Sequence, residues 1–339
     1  MTLEEALHYI HAVCWKGSIP GLERISALLD EMGHPEQTLK FVHVTGTNGK
    51  GSTCAMIASV LRKAGYRTGL YTSPYITRFN ERMQINGEMI PDEELCAITE
   101  EIKPLADRIF EQPTEFEMVT AIAFAWFARR QCDIVVCEVG MGGEFDATNV
   151  IGAPEAAVLC NIGLDHTEVL GDTLEKIAAT KSGIIKSGCD AVLYRSTDGV
   201  EAVVEQRCSE VGAALHKVDF AGLHLRSRSL EGQIFDFGGL TGLHLPLLGE
   251  HQLHNAAVAL TTLSVLQKRG WKITEDDIRQ GFACVVWPGR FQIIGREPLF
   301  LIDGGHNPQC IQALAQNITD YLPDRPLTIL TGVLGDKDY

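Results

Sequence analysis

The chemistry in this chain is most legible in Val44-Thr45-Gly46-Thr47-Asn48-Gly49-Lys50-Gly51-Ser52-Thr53. An apolar run, Phe41-Val42-His43-Val44, precedes it, and a helix-patterned run, Cys54 to Leu61, follows. A strand, a glycine-rich turn with lysine and hydroxyls, and then a helix together hold nucleotide phosphates. Glycines let backbone N–H groups approach the oxygens, the helix start adds a positive dipole end, and Lys50 adds a full charge. The general phosphate-loop pattern would need Gly at position 44 and Ser or Thr at 51. Val44 and Gly51 stand there instead, so the loop is the compressed form Gly-Thr-Asn-Gly-Lys-Gly-Ser. A glycine-rich turn with an exposed lysine is the plainer alternative, and the strand and helix context argues against it.

Other polar groups fall where strands should end. Parallel sheets bind ligands beyond the carboxyl ends of their strands. Ser73-Pro74 follows one expected strand. Glu138 closes another, before Gly140-Met141-Gly142-Gly143, and Asp165-His166-Thr167 follows a third. A serine oxygen, a carboxylate and an imidazole could serve one Mg²⁺, with phosphate oxygens completing the shell. Imidazole is an unusual ligand for so hard a cation. Taken singly, Glu138 reads equally as a surface carboxylate, His166 as a neighbour of a helix cap and Ser73 as a turn residue.

The elements that must position these groups alternate along the chain. Helices are expected over 3–15 and 21–32, split by Gly17 and Pro20-Gly21. Strand 41–45, the loop, helix 52–64 and strand 66–72 follow, then helices 92–110 and 115–130. Strands are expected at 133–139, 156–162 and 190–194, with helices at 173–186 and 198–212. This alternation implies a mainly parallel sheet wrapped by helices. Residues 222–248 alternate with glycine turns and predict a small antiparallel meander; helices return at 251–268 and 274–283. A new unit is expected after Pro298: strand 299–303, helix 308–322 and strand 327–330. The expected division is therefore 1–296 and 297–339, an α/β domain containing the phosphate loop followed by a partial Rossmann-like α/β C-terminal domain.

Composition narrows the function. With 339 residues and 45% hydrophobic content, the chain can fill substantial cores. A net charge of −15 argues against a nucleic-acid surface. Ten cysteines occur without a CxxC pair, several in apolar runs (Cys54, Cys137, Cys160), as expected of reduced, buried thiols in a cytoplasmic protein. The start, Met1 to Leu7, is an acidic amphipathic helix rather than a signal peptide. The longest apolar candidate, Ala121 to Ala128, is too short to span a membrane.

The loop resembles the ATP loop of the folylpolyglutamate synthase and dihydrofolate synthase family, within the Mur ligase superfamily. The resemblance extends through Thr72-Ser73-Pro74-Tyr75, Phe79-Asn80-Glu81-Arg82, Glu138 to Gly143, Asp146-Ala147-Thr148-Asn149 and Leu164-Asp165-His166-Thr167. It continues through Lys181 to Lys186, Gly249-Glu250-His251-Gln252 with Asn255, Pro288-Gly289-Arg290 and Asp303-Gly304-Gly305-His306-Asn307. It implies that Asn48, Gly49, Lys50, Gly51 and Ser52 hold ATP phosphates. Asn255, Arg290 and Asp303 would contact ATP across two domains. Ser73, Glu138 and His166 would be magnesium positions. Lys181 matches a carbamylated lysine, whose anionic oxygens suit a second Mg²⁺; the residue alone would read as a surface lysine. His306 would lie near the incoming glutamate, with Lys50 and Lys181 the other catalytic positions. Thr114, Glu115, Phe116 and Glu117 match a pteroate-binding stretch, which Phe145, Asp146 and Ala147 adjoin. Ordinary core packing would also account for Phe116.

The implied reaction is ATP-dependent addition of L-glutamate to folate, and to dihydropteroate, through an acyl phosphate. A monomer acting on small molecules is expected. Two rivals have different signatures: a Mur-type ligase on another carboxylate, and an ATP-binding protein that does not ligate. One departure stands out. The family usually has arginine before the Asp-Ala-Thr-Asn segment, where this chain has Glu144. The resemblance also implies a family sequence continuing past Asp336-Lys337-Asp338. The expectation is a truncated second domain in which Leu299 to Ile302 and Leu327 to Leu330 pair in parallel and leave an open edge, with ligation weak.

Overall fold

The structure is a computed structural model, and it describes residues 1–13, 17 and 19–332. The chain opens with α1 (Leu3–His11), capped by a reciprocal Thr2–Glu5 box, and α2 (Glu23–Glu31). β1 (Phe41–Thr45) leads through the loop to α3 (Lys50–Lys63) and β2 (Thr68–Tyr71). A short hairpin of β3 (Met83–Ile85) and β4 (Glu88–Met89) precedes α4 (Asp92–Ala106) and α5 (Glu115–Arg129). β5 (Ile134–Glu138) and β6 (Ala156–Leu159) follow, then α6 (Thr167–Leu170) and α7 (Leu174–Ser182). β7 (Asp190–Leu193), α8 (Asp198–Val211) and β8 (Ala214–Lys217) complete the main sheet. Its order is β4-β3-β2-β5-β1-β6-β7-β8, parallel from β2 to β8, with β3 and β4 antiparallel at one edge.

Period-two alternation explains why this sheet is buried on both faces. Val42 and Val44 of β1, Ile134 and Val136 of β5, and Ala156 and Val158 of β6 join the core under α3 and the long helix over Glu250–Lys268. Their alternates, Phe41, Val135 and Cys137, pack toward α4 and α5, and Ala157 and Leu159 toward α7 and α8. β1 lies centrally between β5 and β6, so the loop leaving it emerges between the ends of both.

The expected meander is β9 (His224–Ser229), β10 (Gly232–Phe237) and β11 (Leu240–Leu245). α9 (Glu250–Lys268) and α10 (Glu275–Ala283) follow. β12 (Gln292–Arg296), β13 (Leu299–Ile302) and α11 (Pro308–Tyr321) complete the described elements.

One expectation is overturned. Leu299–Ile302 pairs antiparallel with Gln292–Arg296, and residues 327–330 form no strand and are exposed. The hairpin partner stood just upstream, in a segment that reads as a connector because Gly295 and Arg296 interrupt its apolar run. The hairpin also straddles the expected boundary at 296/297. Helices are shorter than expected where the chain docks. The expected helix 173–186 stops at Ser182 because Gly183 lies against the turn before Phe145; a Cβ there would sit 2.4 Å from Glu144 Cβ. The helix expected over 3–15 ends at His11, and residues 14–16 and 336–339 lie outside the described residues. Strands β3, β4, β8 and β12 were not expected; each is short.

Candidate functional site

The loop after β1 is tied at three points. The Thr47 amide donates to the Asn161 carbonyl at 2.7 Å, and the Thr47 hydroxyl exchanges hydrogen bonds with the backbone of Gly163. Two residues earlier, the Thr45 hydroxyl donates to the Gly142 carbonyl at 2.5 Å, joining the loop to the turn after β5. Lys50 folds over the loop, its Nζ donating to the carbonyls of Gly46 (3.0 Å) and Thr47 (3.2 Å). The same Gly46 carbonyl receives Lys181 Nζ at 2.9 Å. Lys181 is 3% exposed, and burial together with the nearby Lys50 charge pushes its ammonium down to about 7.

Two glycines leave no room for a side chain. Gly49 has φ +86°, and a Cβ there would lie 2.2 Å from Asn255 Oδ1. A Cβ on Gly51 would lie 2.4 Å from the Trp287 indole, which is why the Ser or Thr of the general loop pattern has no place here. Gly49→Ala should weaken binding of an ATP analogue by more than about tenfold, since left-handed strain and the Asn255 clash both distort the loop. Calorimetric titration checks this, and undiminished binding would show that the loop tolerates displacement.

The loop faces a cleft of about 350 Å³ that gathers most of the expected site. Asn48, Gly49, Lys50, Gly51, Ser52, Ser73, Glu138, His166, Lys181, Asn255, Arg290, Asp303 and His306 all line it. Glu138 is buried at the end of β5, accepts the Ser73 amide at 3.1 Å, and is pushed up by burial while Lys50 and Arg290 oppose that shift. His166 is exposed, in a left-handed conformation (φ 49°) at the start of α6. Among the described residues no cluster of three His, Cys, Asp or Glu stands ready to hold a metal ion.

The cleft's far wall comes from residues 290–317. Asp303 accepts the Phe291 amide at 2.8 Å and the Gly305 amide at 2.7 Å, which holds the segments bearing Arg290 and His306 together. Asn307 and Gln309 then reach the loop itself: Asn307 Nδ2 donates to Asn48 Oδ1 at 2.9 Å, and Asn48 Nδ2 donates to Gln309 Oε1 at 2.8 Å. Asn307, Gln309, Trp287 against Gly51, and Tyr194, which also lines the cleft, lie outside the expected site. Asn307 closes the motif Asp303 to Asn307 and Trp287 directly precedes Pro288-Gly289-Arg290, which is the signal in the sequence that points to them.

The stretches 114–117 and 145–147 do not line this cleft; they stand behind its wall. Thr114 caps α5 in a reciprocal box with Glu117, whose carboxylate also pairs with Arg24 at 2.9 Å. Glu115 faces His11 at 3.2 Å. Phe116 packs 6.1 Å from Tyr71 and closes on Gly140, where a Cβ would lie 2.6 Å from its ring. Asp146 and Ala147 are buried and Phe145 is exposed. Asp146 accepts the Met141 amide at 2.8 Å. The 140–143 turn thus separates the loop cleft from Phe116 and Asp146.

A phosphate-loop sheet, a cleft walled by residues from distant parts of the chain and a buried lysine beneath the loop mark a nucleotide-binding α/β protein. The Mur ligase middle domain model matches residues 44–263. Folylpolyglutamate synthase of Lacticaseibacillus casei is 39% identical, covering 100% of this chain and 81% of that protein. Dihydrofolate synthase/folylpolyglutamate synthase of Bacillus subtilis is 36% identical, covering 99% and 80%. A solved folylpolyglutamate synthase in complex with AMPPCP and folate superimposes with a TM-score of 0.89 at 38% identity, covering 96% of this chain and 82% of that one. The chain belongs to the folylpolyglutamate synthase/dihydrofolate synthase family of Mur ligases.

Proposed function

We infer that this chain is an ATP-dependent ligase that adds L-glutamate to folate, with dihydropteroate as a second carboxylate substrate. The observation that carries the reading is the convergence of Lys50, Lys181, Glu138, Arg290 and Asp303 on one cleft, one turn away from Phe116 and Asp146. A free carboxylate is a poor acylating agent, and ATP supplies the activation. A carboxylate oxygen of the folate attacks the γ-phosphorus, the bond to ADP breaks, and an acyl phosphate forms. The glutamate amino nitrogen then attacks the acyl carbon, the C–O bond to phosphate breaks, and the amine loses a proton to solvent. Loop amides and Lys50 stabilise charge on the transferring phosphoryl group. Arg290 stands before the expected boundary and Asp303 and His306 after it, so closure would complete the site and exclude water from the acyl phosphate.

The donor set fits magnesium. Glu138 offers a buried carboxylate beside Ser73, and hard oxygen ligands suit this cation once phosphate oxygens join them. Glu138, Ser73 and His166 would hold the first ion. Lys181 would help hold the second as a carbamate: its neutral amine nitrogen bonds to the carbon of CO₂ and releases a proton. Bound magnesium supplies neutralisation of phosphate charge. Thr114, Glu115, Phe116, Glu117, Phe145, Asp146 and Ala147 form the pteroate side; Thr114 and Glu117 act there by fixing the start of α5.

Buried thiols at Cys54, Cys137 and Cys160 support a reducing, cytoplasmic setting, and no helix among the described residues is long and apolar enough to cross a membrane.

ADP release measured with and without folate and L-glutamate tests this reading. Turnover should require both; ATP hydrolysis indifferent to them would favour a non-ligating ATP-binding protein. Glu144 bears on substrate choice. It is exposed, beside α7, with its amide bonded to the Thr180 carbonyl. Glu144→Arg should lower KM for an anionic folate by about two- to fivefold, as exposed charge pairs allow, and leave KM for ATP unchanged. Identical kinetics for every folate would make the position mere surface.

A further inference from the structure

His43 is the anomaly of the central strand. It is wholly buried in the middle of β1, among apolar neighbours. Its Nε2 lies 2.8 Å from Thr148 Oγ1. The Thr148 hydroxyl donates to Asp146 Oδ1 at 2.5 Å, and the Thr148 amide donates to the same oxygen at 3.0 Å. Because the hydroxyl proton is committed to the carboxylate, its oxygen can only accept from the imidazole, so the ring carries its proton on Nε2. Nδ1 is then a bare lone pair, and it has no hydrogen-bond partner. Burial, aided by the Lys186 charge, pushes the imidazolium down to about 3, in keeping with a neutral ring.

The relay ends at the wall between the two halves of the site. Asp146 Oδ2 accepts the Met141 amide at 2.8 Å. Thr45, two residues beyond His43 and therefore on the same face of β1, bonds Gly142 of the same turn. The polar residues at alternate positions of β1 both brace the segment 140–148. That explains why this face of the strand is not apolar throughout.

We propose that His43 is a positioning residue for the pterin-bearing substrate, holding the Asp146 carboxylate through the Thr148 hydroxyl so that the 140–143 turn keeps its place against Phe116. The inference rests on the reading of 114–117 and 145–147 as the pteroate side. His43→Leu removes the donor at similar bulk, whereas His43→Gln can restore an N–H near the Nε2 position. Thr148→Val and Thr148→Ser are the matching pair one step along.

The test is the split between KM for tetrahydrofolate and KM for ATP, with nitrogen NMR of imidazole-labelled protein beside it. His43→Leu and Thr148→Val should each raise KM for tetrahydrofolate about tenfold, the effect of a lost buried hydrogen bond to a charged chain, with KM for ATP within about twofold. His43→Gln and Thr148→Ser should recover most of the loss. The double variant should be no worse than either single one, because the two act in series. NMR should find a neutral ring protonated on Nε2. Unchanged KM for tetrahydrofolate, or equal rises for both substrates, would overturn the positioning role; a proton on Nδ1 would overturn the relay. Should His43→Leu not fold, the Thr148 pair decides alone. Failure of the ligase reading would appear separately, as wild-type protein without tetrahydrofolate-dependent turnover.

Discussion

Lys50→Ala is expected to slow ligation by about two to three orders of magnitude while leaving the protein folded. Lys50 packs against little: its ammonium lies over the loop, bonded to the Gly46 and Thr47 carbonyls. The Gly46 carbonyl keeps its bond from Lys181 and Thr47 is only half-buried, so the cost in stability is small. The cost in catalysis is large, because a preorganised charge aimed at the transferring phosphoryl group contributes about 3–4 kcal/mol, or two to three orders of magnitude in rate. Steady-state ADP release and a thermal melt make the comparison. A variant retaining near-normal ligation would remove Lys50 from the chemistry.

Lys181→Ala should also lose activity by about a hundredfold or more, and a short carboxylic acid such as acetate should partly restore it by supplying the missing anionic oxygens. The sign of the pH dependence follows from burial. An ammonium cannot attack CO₂, and Lys181 loses its proton near pH about 7 rather than in the ordinary lysine range. Activation by bicarbonate should therefore rise as pH increases from about 6 to about 8. Carbon NMR with labelled bicarbonate should show a carbamate signal in the wild type that Lys181→Ala lacks. A wild-type spectrum without that signal, at saturating bicarbonate, would overturn the modification whatever the activity.

The loop was legible because glycine, lysine and hydroxyl at fixed spacing between a strand and a helix have few other uses. Ser73, Glu138 and His166 were legible as strand-end residues, and the family resemblance joined them. Lys181 was not legible from its residue type. Only the tertiary contact with the Gly46 carbonyl distinguishes it from a surface lysine. Gly51 was visible as a departure, but its cause, the Trp287 indole, lies 236 positions away along the chain. The hairpin of β12 and β13 was missed because Gly295 breaks the alternation on which strand recognition depends. His43 read as one more member of an apolar strand, since no local pattern reveals that Thr148 will meet it.

Joining glutamate to a folate carboxylate by way of ATP is the reaction this cleft must perform. Mass spectrometry of the products, with tetrahydrofolate and dihydropteroate in parallel and heavy oxygen in the folate carboxylates, tests it most directly, because even slow ligation leaves a product mass. The expected product is a folate heavier by one glutamyl unit for each ADP formed, with one heavy oxygen carried into the released phosphate. ADP accumulation with no glutamylated product, or product whose phosphate carries no heavy oxygen, would contradict it.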